Sequence, residues 1–88
     1  MKRFENQVAL ISGGADGLGF GIAERIASEG GSIALIDINE RLLTKALKTF
    51  KEKGYSAEGY KVDISSEQEV ERAVGLVKKT FGKIDNRY

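Results

Sequence analysis

Eighty-eight residues allow one small domain with one core, and 41% hydrophobic with 31% charged residues is the composition of an ordinary globular chain. Fourteen Lys plus Arg face thirteen Asp plus Glu, a net charge of +1 that gives no reason to expect a nucleic-acid or anionic-membrane partner. Cys and His are both absent, which excludes disulfides, thiolate catalysis, cysteine-ligated zinc and an imidazole base.

The basic start Met1-Lys2-Arg3 suggests a secretory signal, but the first apolar run is only Val8-Ala9-Leu10-Ile11. A signal needs an apolar region of roughly 7 to 15 residues, and a membrane span more still, so a cytoplasmic location is expected. Val8 to Ile11 and Ile33 to Ile36 are continuous apolar runs, the pattern of strands covered on both faces in a parallel sheet. Between them Leu18, Ile22, Ala23, Ile26 and Ala27 recur at helical spacing, and Gly30-Gly31 supplies the stop. A second helix opens at Asn39 as N-cap, carries Leu43, Ala46, Leu47 and Phe50 on one face, and ends at Gly54. Its Lys45, Lys48, Lys51 and Lys53 read as a solvated helix face, not a binding patch.

A third strand is expected around Ala57 to Val62. The third helix begins at a capping box, Ser65 with Gln68 or Ser66 with Glu69. Val70, Ala73, Val74, Val77 and Phe81 form its apolar face, and it closes at Gly82. Lys83-Ile84-Asp85 looks like the approach to a fourth strand that the polar Asn86-Arg87-Tyr88 does not supply. The alternation predicts an α/β fold of three parallel strands in spatial order 3-2-1 with three helices.

Ser12-Gly13-Gly14-Ala15-Asp16-Gly17-Leu18-Gly19 sits between a buried strand and an amphipathic helix. A glycine at 13 turns the chain sharply, one at 17 lets backbone approach a pyrophosphate, and one at 19 lets helix and strand pack closely. A phosphate there would face free N–H groups and the positive end of the helix dipole. A merely tight turn would need one glycine; three in this setting favour phosphate binding.

The spacing G-x-x-x-G-x-G after a hydroxyl residue resembles the classical short-chain dehydrogenase/reductase family, whose loop reads Thr-Gly-x-x-x-Gly-x-Gly. Ser12 replaces Thr and keeps the hydroxyl. The resemblance continues in order through Gly30, Asp37, Val62-Asp63-Ile64 and Phe81-Gly82-Lys83-Ile84-Asp85. It implies the first part, residues 1–88, of a doubly wound Rossmann domain that binds a dinucleotide. Ser12, Gly13, Asp16, Gly17, Leu18 and Gly19 then form the phosphate loop.

Asp37 ends the second strand, 18 residues after Gly19, where a carboxylate can accept from both ribose hydroxyls of NAD. Helix capping is its alternative role, for which Asn39 is better placed. Its charge would repel the extra phosphate of NADP. In the family, NADP preference goes with a basic residue before the second loop glycine or just after this acid. Those positions hold Asp16 and Ile38, so NAD is expected over NADP. By resemblance, Asp63 would accept from the adenine amino group and the Ile64 N–H would donate to the ring; capping is again the alternative for Asp63.

The family's chemistry needs a Tyr with a Lys four residues later, a Ser, and an Asn-Asn-Ala-Gly segment. Tyr55 is followed at that spacing by Gly59 and Tyr60 by Ile64, and Tyr88 is the last residue. No catalytic residue and no metal ligand is therefore assigned, and the chain is expected to be a truncated, catalytically silent NAD-binding part of an alcohol/carbonyl oxidoreductase. Two other readings are a non-catalytic nucleotide-binding or interaction module and a Rossmann methyltransferase. The glycine spacing and Asp63-Ile64 speak against the latter. Without a fourth strand, Val8 to Ile11 would present an open edge, and self-association through it is expected.

Overall fold

Four consecutive apolar residues can be buried only if both faces of their strand are covered, and this is how β1 (Val8–Ser12) is placed. The computed structural model describes residues 3–88; the basic start at Met1 and Lys2 lies outside them. The elements run β1, α1 (Gly17–Ser28), β2 (Ser32–Asp37), α2 (Glu40–Glu52), β3 (Ala57–Lys61), α3 (Glu67–Phe81) and β4 (Asn86–Arg87). All strand pairs are parallel, in the order β3-β2-β1-β4.

Alternate residues of the strands feed two cores. Ala9, Ile11, Ile33 and Leu35 pack with Ala23, Ile26 and Ala27 of α1 and with Leu43, Ala46 and Phe50 of α2. Val8, Leu10, Ala34 and Ile36 pack on the opposite face with Ala73 and Val77 of α3. Helices thus cover both faces of one sheet, the doubly wound arrangement expected from the alternation. Phe50 is fully buried and stacks on Phe20, ring centroids 4.9 Å apart, which ties α2 to α1. Burying such a side chain contributes roughly 1.5 to 3 kcal/mol.

The punctuation follows local chemistry. Asn39 caps α2 by accepting the Leu42 N–H at 3.0 Å, and Ser66 caps α3 by accepting the Glu69 N–H at 3.3 Å. Of the two serines, the cap is therefore Ser66. Gly82 closes α3 in the left-handed conformation, φ 88°, with its N–H on the Lys78 carbonyl.

The expectation of only three strands is corrected by β4. Asn86 and Arg87 pair with Ala9 and Leu10 although neither is apolar. Backbone and flanking polar groups supply the pairing. The Val8 N–H donates to Asp85 Oδ2 at 2.7 Å while the Asp85 N–H donates to the Val8 carbonyl at 2.8 Å. Asn86 Nδ2 donates to Gln7 Oε1 at 2.9 Å, and Tyr88 bonds to both Leu10 and Ser12. The open edge expected at β1 is consequently occupied, and the free edge passes to the short β4. Lys83 also pairs with Asp85, and the Val8 N–H together with Lys83 holds the Asp85 carboxyl below the usual carboxylate range.

Candidate cofactor-binding site

In the β1–α1 connection the Gly13 N–H donates to the Ile36 carbonyl at 2.8 Å, anchoring the loop to β2. Gly13 and Gly17 adopt φ values of 64° and 58°, a region that costs an ordinary residue about 1–2 kcal/mol. Gly19 serves close approach: a Cβ there would lie 2.4 Å from the Gly13 carbonyl oxygen. The sequence reading gave Gly19 this packing role against the strand; its neighbour in the structure is the loop's own backbone.

The loop leaves a row of donors free. Gly13–Ala15 form a turn, but no N–H from Gly14 to Gly19 makes a hydrogen bond of good geometry within the described residues, and the Phe20 N–H is the first to find a carbonyl, that of Asp16. Asp16 stands at the N-cap of α1 with its side chain making no capping bond, and no acid lies in the first turn. The amino end of α1 therefore keeps backbone donors that its own cap residue does not engage.

Two carboxylates lie at the ends of neighbouring strands. Asp37 pairs with Lys61 in the sheet, and its Oδ1 accepts the Asn39 N–H at 2.9 Å. Its second oxygen has no partner among the described residues. Asp63 follows β3; its Oδ1 accepts from both the Ser65 hydroxyl, at 2.6 Å, and the Ser65 N–H, at 3.0 Å. These two bonds hold its carboxyl below the usual range, and it stays an anion that can accept a further bond. Helix capping, the alternative weighed for Asp63, falls to Ser66; Asp63 instead makes a local turn with Ser65 that engages one of its two oxygens. The Ile64 N–H has no partner among the described residues.

Gly13, Asp37, Ile38, Asp63 and Ile64 are brought to the carboxyl ends of three adjacent strands. Strand spacing near 4.8 Å sets the span from β1 to β3 at roughly 10 Å. Among the described residues, Ile38 (58% exposed), Ile64 (48%) and Tyr88 (51%) follow the carboxyl ends of β2, β3 and β4, and Leu18 (83%) lies in the first turn of α1. The chain switches direction between β1 and β4, and ligands of open α/β sheets bind in the crevice at such a switch. Ser12 is exposed beside it, its N–H on the Tyr88 carbonyl at 3.1 Å.

Two residues at this corner escaped the sequence reading. Gly14 is buried, and a Cβ there would meet Leu35 Cδ2 at 2.6 Å and the Ile11 carbonyl at 3.1 Å. Its adjacency to Gly13 was the available signal. Glu69, read only as a capping partner, accepts the Asp63 N–H at 3.0 Å. Lys45, Lys48 and Lys51 are exposed on α2, as a solvated face requires, and Lys53 pairs with Glu24.

The short chain dehydrogenase family model matches residues 7–86. The chain belongs to the short-chain dehydrogenase family. It is 50% identical over 80 residues to a diacetyl reductase ((S)-acetoin forming) of Staphylococcus epidermidis, covering 91% of this chain and 31% of that protein. It superposes on an NAD+-bound xylitol dehydrogenase with TM-score 0.93 and 41% identity, over 98% of this chain and 33% of that one. An L-sorbose reductase of Gluconobacter frateurii, complexed with NADPH and L-sorbose, gives TM-score 0.91 and 32% identity over 99% and 34%. The chain thus spans about a third of the length of the relatives it matches. Short-chain dehydrogenases bind nicotinamide dinucleotides, and the fold is common to those solved with either cofactor. Among the described residues no helix is long and apolar enough to cross a membrane.

Proposed function

We propose that this chain holds the adenosine-pyrophosphate part of NAD, in preference to NADP, for the oxidation of an alcohol or reduction of a carbonyl. The observation that carries the reading is the row of unbonded N–H groups from Gly14 to Gly19 at the uncapped end of α1. Such a row fits a pyrophosphate, which supplies acceptors and negative charge together. Asp37 keeps one carboxylate oxygen open for the ribose hydroxyls, while Asp63 and Ile64 offer an acceptor and a donor for adenine. Ser12, Leu18 and Ile38 complete the rim. The cofactor, when bound, supplies the hydride acceptor or donor; the chain's own residues bind and orient it.

Preference for NAD rests on charge. A 2′-phosphate would meet Asp37, with Asp16 and not a cation on the neighbouring loop. Two unit charges about 4 Å apart interact by roughly 4 kcal/mol at an effective dielectric of 20, reduced further by solvent at an open site. The likeness to a xylitol dehydrogenase solved with NAD+ agrees with this choice. The residues 1–88 carry no Tyr-x-x-x-Lys pair, so by themselves they bind without catalysing, as part of a dinucleotide-binding domain. A cytoplasmic location suits such a cofactor.

Calorimetric titration with NAD and NADP tests the proposal. NAD is expected to bind more tightly, with an affinity on the order of 100 μM or weaker because these residues hold only part of the cofactor. Equal affinity, or tighter binding of NADP, contradicts the role given to Asp37. Incubation with NADH and ketones, or NAD and alcohols, is expected to leave the absorbance of the cofactor unchanged. Turnover that persists through repurification and disappears in Gly17→Trp would overturn the assignment of silence.

A further inference from the structure

Glu69 sits in the first turn of α3, but its carboxylate turns back past its own helix. In an ordinary capping box the acid at this position bonds the N–H of the cap residue. Here the Ser66 N–H is already given to the Asp63 carbonyl at 2.9 Å, and Glu69 Oε1 instead accepts the Asp63 N–H at 3.0 Å. Three elements of Asp63 are then fixed from within the chain: its N–H by Glu69, its carbonyl by Ser66 and its Oδ1 by Ser65.

On Asp63 and the residue after it, the second Asp63 oxygen is an acceptor and the Ile64 N–H a donor without a partner among the described residues. An acceptor beside a donor is complementary to the edge of a 6-aminopurine, which shows an amino donor beside a ring-nitrogen acceptor. A 6-oxopurine shows the inverse, a carbonyl acceptor beside an N–H donor, and would oppose both groups. Discrimination depends on holding the two protein groups in one fixed relation, because a corner free to rotate could satisfy either base. Both groups project from the Asp63 backbone, which the Ser66 N–H holds at its carbonyl and Glu69 holds at its N–H.

We infer that Glu69 is a positioning residue that sets adenine-over-hypoxanthine selectivity, acting through the Asp63 N–H without touching the nucleotide. The inference rests on the adenosine-site reading above and is tested so that the two fail differently. Nuclear magnetic resonance titration would compare adenosine 5′-monophosphate, inosine 5′-monophosphate and 2′-deoxyadenosine 5′-monophosphate. The wild-type chain is expected to prefer the adenine over the hypoxanthine nucleotide by about tenfold, the scale of a hydrogen bond to a charged group. Glu69→Ala is expected to cut that preference to about threefold or less, and Glu69→Gln to restore it, since its amide carbonyl accepts the same N–H. The preference for ribose over 2′-deoxyribose, which belongs to Asp37, is expected to stay unchanged in both variants. If Glu69→Ala keeps the full base preference while Asp63→Ala loses it, the positioning role is overturned and the site reading stands. Equal losses of base and ribose preference in Glu69→Ala overturn it also, as the mark of a general structural role. A wild-type chain without base preference, unaffected by Asp63→Ala, overturns the adenine reading itself.

Discussion

The amino ends of α1 and α3 meet the same physical demand and answer it in opposite ways. At α3 the Ser66 hydroxyl accepts the Glu69 N–H, Glu67 and Glu69 place negative charge in the first turn, and Glu69 reaches back to Asp63. At α1 the N-cap Asp16 makes no side-chain capping bond, no acid follows in the first turn, and none of the N–H groups from Gly14 to Gly19 makes a well-formed hydrogen bond among the described residues. Leaving them so forgoes stabilisation that a cap ordinarily gives, and the glycines at 13, 14 and 19 show that the loop shape is nevertheless enforced. The α3 end is made self-sufficient by its own side chains, whereas the α1 end is the one the proposed function assigns to a ligand from outside the chain.

The comparison can be broken most forcefully at Gly19. Gly19→Ala places a Cβ 2.4 Å from the Gly13 carbonyl, so backbone must move. A loss of about 1–3 kcal/mol is expected in urea denaturation, with NAD binding weakened beyond detection. A variant as stable as wild type with intact binding would show that the loop shape is not enforced there.

The caps sharpen the contrast at lower energy. Ser66→Ala is expected to cost about 1 kcal/mol, because the Glu69 N–H loses its acceptor. Asp16→Ala is expected to change stability by less than about 0.5 kcal/mol, because the Asp16 side chain caps nothing. Equal costs in parallel denaturant titrations would erase the difference between the two helix ends.

Acid should produce a smaller, local effect at the other end of the sheet. Asp85 has its carboxyl held below the ordinary range by the Val8 N–H and Lys83, so its contribution is present above the unfolded value of 3.8. It is lost as pH falls through the lower folded value, and β4 should then loosen from β1 and reopen that edge. Amide exchange at Asp85 and Tyr88 is expected to rise in this window relative to the intrinsic rate, and Asp85→Asn to blunt the pH dependence. Unchanged protection across the window would remove Asp85 from the account of β4.

How much of this was legible depended on whether the determining contact was local. The buried runs of β1 and β2, the Asn39 cap and the Gly82 stop are written in neighbouring residues, and all four appear as expected. β4 was not legible because its pairing is made by backbone and by Asp85 and Asn86 reaching residues nearly eighty positions away. Gly14 escaped for the same reason, since what forbids a side chain there is Leu35 of another strand. At the site, the positions of Asp37 and Asp63 followed from the resemblance. The oxygen that Asp63 commits to Ser65, and the grip of Glu69 on its backbone, are visible only in the folded geometry.

Following the backbone amide resonances during titration with NAD tests the open helix end most directly. The signals of Gly14 to Gly19 are expected to shift saturably, while those of Leu42 and Glu69, whose N–H groups are already bonded to their caps, are expected to move far less. A titration that leaves the loop amides in place at millimolar NAD, or that shifts the capped amides equally, would contradict the claim that the α1 end is kept open for the cofactor's pyrophosphate.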